Sequence, residues 1–188
     1  HARRRPRPLG VRSRPRRGVA PVLDPQRRPD LHPVRRLDRP RLSGDPTSPA
    51  DPPQGLLDAL GVRPRSVGRS KFDYLLVLDS EAAVRAARPD FRRLAEVPTR
   101  GVIVTAPSDD PSFDFVSRFF APAVGVDEDP VTGSAHCCLT PYWSERLGKS
   151  ELLARQVSAR GGVLRLKNHG GRVVLGGRAV TVLRGELV

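Results

Sequence analysis

The chain has 188 residues and a formal net charge of +13, long enough for one domain or two small halves. The charge is uneven: residues 1–50 hold 14 Arg and 4 Asp, a balance of +10, which leaves +3 for residues 51–188. No apolar run is long enough to span a bilayer or serve as a signal peptide, and the adjacent cysteines Cys137 and Cys138 exclude a disulfide framework and a Cys-based zinc site, so a cytoplasmic protein without bound metal is the expectation.

Residues 1–50 also contain 10 of the 20 prolines and no Phe, Tyr, Trp, Glu or Lys. A segment with so few large apolar side chains cannot offset the entropy of ordering, so it is expected to be disordered. Three readings fit it: a basic arm that binds nucleic acid through phosphate contacts, a solvated tail, or translation of a GC-rich gene in the wrong frame. The last accounts best for Arg and Pro without Lys or Glu.

From about Pro53 the texture changes. Gln54–Leu60 reads as a short helix closed by Gly61, and Phe72–Leu78 as a buried strand. Ser80 caps a helix that Pro89 ends, and Asp90–Ala95 reads as another short helix. Gly101–Ala106 is a second buried strand, and Phe113–Phe120 alternates as a half-buried strand does. Further strands are expected at Gln156–Ala159, Val163–Lys167, Arg172–Leu175 and Ala179–Arg184, with glycines turning the chain between them. The fold class is α+β, ending in an antiparallel meander.

Gly125–Gly148 carries the chemistry. An acidic loop ends at Asp129-Pro130, followed by the small residues Thr132, Gly133, Ser134 and Ala135 and then a helix. The first amides of a helix lack internal partners and the dipole there favours negative charge. Thr132, Gly133 and Ser134 are small enough to let a ligand carboxylate reach those amides, and Asp129 can accept a hydrogen bond or a proton from the same ligand. On the pattern alone, Asp129 and Ser134 as ordinary helix caps is the favoured account. Pro141 lies deep in this helix, where a bend is expected. His136, Tyr142 and Trp143 read as packing residues.

The segment DPVTGSAH at 129–136 resembles the motif of PhzF-like (phenazine-biosynthesis-like) isomerases, in the diaminopimelate-epimerase-like superfamily. SRFFAP at 117–122, PYWSERLGK at 141–149, QVSARGG at 156–162 and VTVLRGEL at 180–187 look like the same family in the same order, so the resemblance covers about residues 51–188. It implies one half of a two-half fold, a curved mixed sheet around a central helix, with the active site between the halves. It also implies an isomerase that needs no cofactor and shifts a proton on a small carboxylated substrate, as in the isomerisation of trans-2,3-dihydro-3-hydroxyanthranilate. By resemblance Asp129 assists catalysis and touches the polar groups of the substrate, while Gly133 and Ser134, with Thr132, hold its carboxylate. In related epimerases a Cys stands where Asp129-Pro130 stands here.

The departure is equally plain. The family's principal acid/base is a Glu in the first half, and this sequence has no Glu before Glu81. The resemblance therefore leads to an incomplete and inactive fragment, with residues 1–50 standing where first-half strands belong. The opening His1-Ala2 matches the stub of another first-half motif. The rivals are an Arg-rich nucleic-acid-binding protein on a retired enzyme scaffold, which composition does not favour, and a non-catalytic homodimerisation module.

Overall fold

Short-range chemistry sets the helices between residues 41 and 178, the part of the chain that the computed structural model describes. Strands β1 (Arg41–Ser43) and β2 (Ser48–Pro49) are followed by α1 (Leu56–Leu60), which Gly61 stops in the left-handed conformation at φ 63°. After β3 (Ser66–Arg69) and β4 (Asp73–Val77), Ser80 caps α2 (Glu81–Ala86) by accepting from the Ala83 amide at 3.2 Å. Asp90 caps α3 (Phe91–Ala95) through the amides of Arg92 and Arg93. Then come β5 (Gly101–Pro107), β6 (Phe115–Phe120), a 3₁₀ turn at Pro122–Val124 and the long α4 (Gly133–Leu147). Strands β7 (Glu151–Gln156), β8 (Gly162–Asn168) and β9 (Arg172–Gly176) close the described region as an antiparallel meander.

The strands form one mixed sheet in the order β1-β9-β8-β7-β6-β5-β4-β3-β2, with β4–β5 and β6–β7 parallel and every other pair antiparallel. Its curvature follows from chain length. β1 and β2 lie on opposite edges of nine strands, yet only residues 44–47 join them. Five Cα steps reach at most about 19 Å, whereas eight gaps in a flat sheet span roughly 38 Å. The sheet must curl until its edges approach, and α4 fills the curl. One core places Ala135, Cys138, Leu139 and Trp143 of α4 against Leu75, Ile103, Phe115, Leu152, Leu164 and Val173, that is, against strands from β4 round to β9. On the outer face α1, α2 and α3 cover Leu76, Val102, Val104, Val116 and Phe120. This is the expected α+β half, a curved mixed sheet around a central helix.

Several details differ from the sequence reading. Phe115–Phe120 is buried on both faces rather than half-buried, because helices cover this central strand from each side. The strand expected at Gln156–Ala159 instead spans Glu151–Gln156. Its Glu, Leu, Ala and Arg are good helix formers, and pairing with β6 and β8 overrides that preference. Residues 41–49, grouped by composition with the Arg/Pro-rich segment, join the sheet through backbone pairing that needs few apolar side chains. The remainder of that segment and the strand expected at Ala179–Arg184 lie outside the described residues.

Pro141 sits inside α4, which runs unbroken from Gly133 to Leu147. A proline leaves the carbonyl four residues earlier without its helical donor. Here that carbonyl belongs to Cys137, and it accepts from the amide of Asp45 at 3.1 Å. The proline thus frees an acceptor that ties the β1–β2 connection across the helix.

Candidate functional site

The loop between β6 and α4 is held from below by side chains that are themselves fixed. Arg118 on β6 forms a bidentate pair with Glu128 at 2.7 and 3.0 Å, and its remaining donors reach the carbonyls of Ala87 and Val84. The Asp129 amide donates to the Phe119 carbonyl at 3.0 Å, and the Ser158 hydroxyl to the Pro130 carbonyl at 2.8 Å. Gly162 lets Val131 pack closely, since a Cβ there would strike the Val131 side chain and displace it.

Gln156, fully buried at the end of β7, does the most. Its Oε1 accepts from the Thr132 amide at 2.8 Å, and its Nε2 donates to the Asp129 carbonyl at 2.6 Å and to Thr132 Oγ1 at 3.2 Å. The Thr132 hydroxyl in turn donates to Asp129 Oδ2 at 2.6 Å. Thr132 is buried and its polar groups are all engaged, so it supports Asp129 from inside instead of facing solvent. Asp129 is half-buried and Ser134 exposed.

At the start of α4, Thr132 occupies the cap position with extended backbone and makes no side-chain cap bond. Neither Asp129 nor Ser134 caps the helix: the Asp129 carboxylate is bonded by Thr132, and Ser134 Oγ accepts from Arg100 Nη2 at 3.2 Å. The amides of Gly133 and Ser134 have no acceptor among the described residues. An oriented carboxylate therefore stands beside uncapped amides and a hydroxyl. That set can hold an anionic group and stabilise negative charge developing next to it.

Sequence reasoning did not single out Gln156, Arg100 or Asp73. Arg100 forms a bidentate pair with Asp73, which is 1% exposed. The available signals were a carboxylate at the head of the apolar run Asp73–Leu78, an arginine abutting the buried strand at Gly101, and a lone amide side chain ending ELLARQ.

Behind the helix start, His136 is fully buried and stacked on Phe115 with ring centroids 6.1 Å apart. Its Nδ1 lies 2.7 Å from the Thr132 carbonyl. Burial pulls its pKa down to about 4, against the effect of that hydrogen bond, so the ring is neutral near pH 7. Burial likewise pushes the thiols of Cys137 and Cys138 up, which keeps them protonated and poorly nucleophilic. Among the described residues no group of His, Cys, Asp and Glu is arranged to hold a metal ion, and no helix is long and apolar enough to cross a membrane. Two surface concavities, one lined by Ser144, Lys149 and Asn168 and one by Leu57, Val62 and Arg93, include neither Asp129 nor Ser134.

Known proteins resemble this chain in sequence and in fold. An uncharacterized isomerase of Halalkalibacterium halodurans is 56% identical over 136 residues, covering 72% of this chain and 51% of that protein. An uncharacterized isomerase of Pseudomonas aeruginosa is 58% identical over 132 residues, covering 70% and 50%. Among solved structures, a phenazine biosynthesis protein of the PhzF family from Enterococcus faecalis superposes with a TM-score of 0.68 at 39% identity, over 73% of this chain and 52% of that one. A putative phenazine biosynthesis PhzC/PhzF protein from Clostridium difficile gives 0.70 at 35% identity, over 79% and 56%. The chain spans about half the length of the curated relatives it matches. Since the family model described as phenazine biosynthesis-like protein matches residues 58–185, well over half of the sequence, this chain belongs to the PhzC-PhzF family.

Proposed function

We propose that residues 41–178 form the substrate-anchoring half of a PhzF-type isomerase that moves a proton between carbons of a small carboxylated molecule. Gly133 and Ser134 hold the carboxylate, Asp129 assists by bonding the polar groups of the substrate, and Thr132 with Gln156 keeps Asp129 in place. The observation that carries the proposal is the uncapped start of α4, whose amides lie beside an oriented, half-buried carboxylate. Removing a proton next to a carboxylate builds up negative charge, and fixed amide donors stabilise that charge without reorganising. The proton returns to a second carbon as the double bond shifts, so the reaction consumes no co-reactant.

The principal acid/base of this scheme is a carboxylate from a complementary half. The sequence before Glu81 contains no Glu, and general acid–base catalysis contributes roughly 10²–10⁴-fold, so the 188-residue chain alone is expected to be inactive. The test joins it to a first half that carries the Glu and follows isomerisation of trans-2,3-dihydro-3-hydroxyanthranilate and uptake of solvent deuterium by NMR. The joined protein should exchange one carbon-bound hydrogen, and Asp129→Ala or Ser134→Ala should slow it by about tenfold or more. Full exchange in both variants refutes the assignment of this site.

A further inference from the structure

We propose that Arg100 is a positioning residue: it fixes the Ser134 hydroxyl so that its hydrogen is presented outward to a ligand carboxylate. This rests on the reading of the α4 start as a carboxylate site.

Arg100 has little freedom of its own. Nε donates to Asp73 Oδ1 at 2.8 Å and Nη2 donates to Asp73 Oδ2, the two-pronged geometry that a guanidinium prefers with a carboxylate. Asp73 is held in turn, its amide donating to Ser70 Oγ at 3.1 Å and its carbonyl accepting from the Ser70 amide at 2.9 Å. The guanidinium also lies over the rings of Phe72 and Phe119, at 5.0 and 5.8 Å from their centroids. A planar group gripped on one edge and lying over two rings is a constrained donor.

The third contact gives that constraint a use. Nη2 donates to Ser134 Oγ at 3.2 Å. Arginine has no acceptor, so the serine oxygen must accept, and its single hydrogen is left to point away from the cation. No acceptor for that hydrogen is found among the described residues, and Ser134 is exposed. A serine near a helix start can otherwise turn its hydroxyl toward its own backbone. Here the arginine selects the rotamer that donates outward, beside the uncapped amides of Gly133 and Ser134. Arg100 also feels the carboxylates of both Asp73 and Asp45, which offset its charge, so orientation and not long-range attraction is its contribution.

The test uses the full 188-residue chain labelled with ¹⁵N and titrated with benzoate, with benzamide as the neutral control. Benzoate should shift the amides of Gly133 and Ser134 and benzamide should not. Ser134→Ala should weaken benzoate by about tenfold, as expected for losing one hydrogen bond to a charged acceptor. Arg100→Lys should weaken it by a similar factor, because one ammonium can pair with Asp73 but cannot also span to Ser134. It keeps a cation beside the buried Asp73, which protects folding where Arg100→Ala would not. The decisive readout is the double variant Arg100→Lys/Ser134→Ala, which should bind no more weakly than Ser134→Ala. A purely structural role for Arg100 leaves benzoate affinity unchanged in Arg100→Lys and overturns the proposal. Additive losses mean that Arg100 touches the ligand itself, and also overturn it. Equal binding of benzoate and benzamide, or no binding of benzoate, removes the carboxylate site and the proposal with it.

Discussion

Replacing Gln156 by Ala removes the one side chain that satisfies both ends of the Asp129–Thr132 turn. Three hydrogen bonds are lost: from the Thr132 amide at 2.8 Å, to the Asp129 carbonyl at 2.6 Å, and to Thr132 Oγ1 at 3.2 Å. Gln156 is fully buried and Thr132 is 6% exposed, so water does not readily replace it. Leaving a buried donor or acceptor unpaired costs about 1–3 kcal/mol, and at least the Thr132 amide and the Asp129 carbonyl are left so, giving a loss of about 2–6 kcal/mol. Urea unfolding should show a lower midpoint at unchanged slope, because the surface exposed on unfolding is nearly the same. Hydrogen exchange at the Thr132 amide should accelerate together with the fall in stability. Gln156→Glu separates hydrogen bonding from volume: its carboxylate still accepts from Thr132 but turns an oxygen toward the Asp129 carbonyl, so it too should destabilise. A loss below about 1 kcal/mol in Gln156→Ala with the Thr132 amide still protected refutes the idea that Gln156 holds the turn.

Three further outcomes are expected. His136 is charged less readily in the folded protein than in the unfolded chain, since its pKa falls from 6.5 to about 4. The unfolded state therefore binds the proton first, and stability should decline as pH drops below 6.5 and level off below about 4. The decline is worth about 3 kcal/mol and should be absent from the pH dependence of unfolding in His136→Asn. Arg118→Ala leaves the Glu128 carboxylate, 19% exposed, without its partner and removes one of two donors from each of the carbonyls of Val84 and Ala87, and should cost about 2–4 kcal/mol in thermal unfolding, with Glu128→Gln costing less. Gly101→Ala drives a methyl group into the Phe119 ring beneath Arg100, so a loss of about 1–3 kcal/mol is expected by urea unfolding, and Phe119→Leu in the same chain should recover part of it.

The motif at 129–136 was legible because its information is local. A loop, three small residues and a helix start are consecutive, and neither the uncapped amides nor the nearby carboxylate needs a distant partner to be recognised. The helices capped by Ser80 and Asp90 and closed by Gly61 were readable for the same reason. The role of Thr132 was not, since choosing between a ligand contact and a support for Asp129 requires Gln156, which lies 24 residues away. Glu151–Gln156 was hidden too, because its side chains favour a helix and only β6 and β8 make it a strand.

The order of apolar residues along β4 and β5 therefore determined by itself that these segments would be buried, and the small residues from Thr132 to Ala135 marked where α4 begins. Only the tertiary structure decided that the sheet curls until β1 and β2 come within reach of one short connection, that Arg100 meets Ser134, and that a carbonyl released by Pro141 is taken up by Asp45. Local preferences act over a few residues of chain, whereas each of those contacts joins groups that are neighbours only after the sheet has closed around its helix.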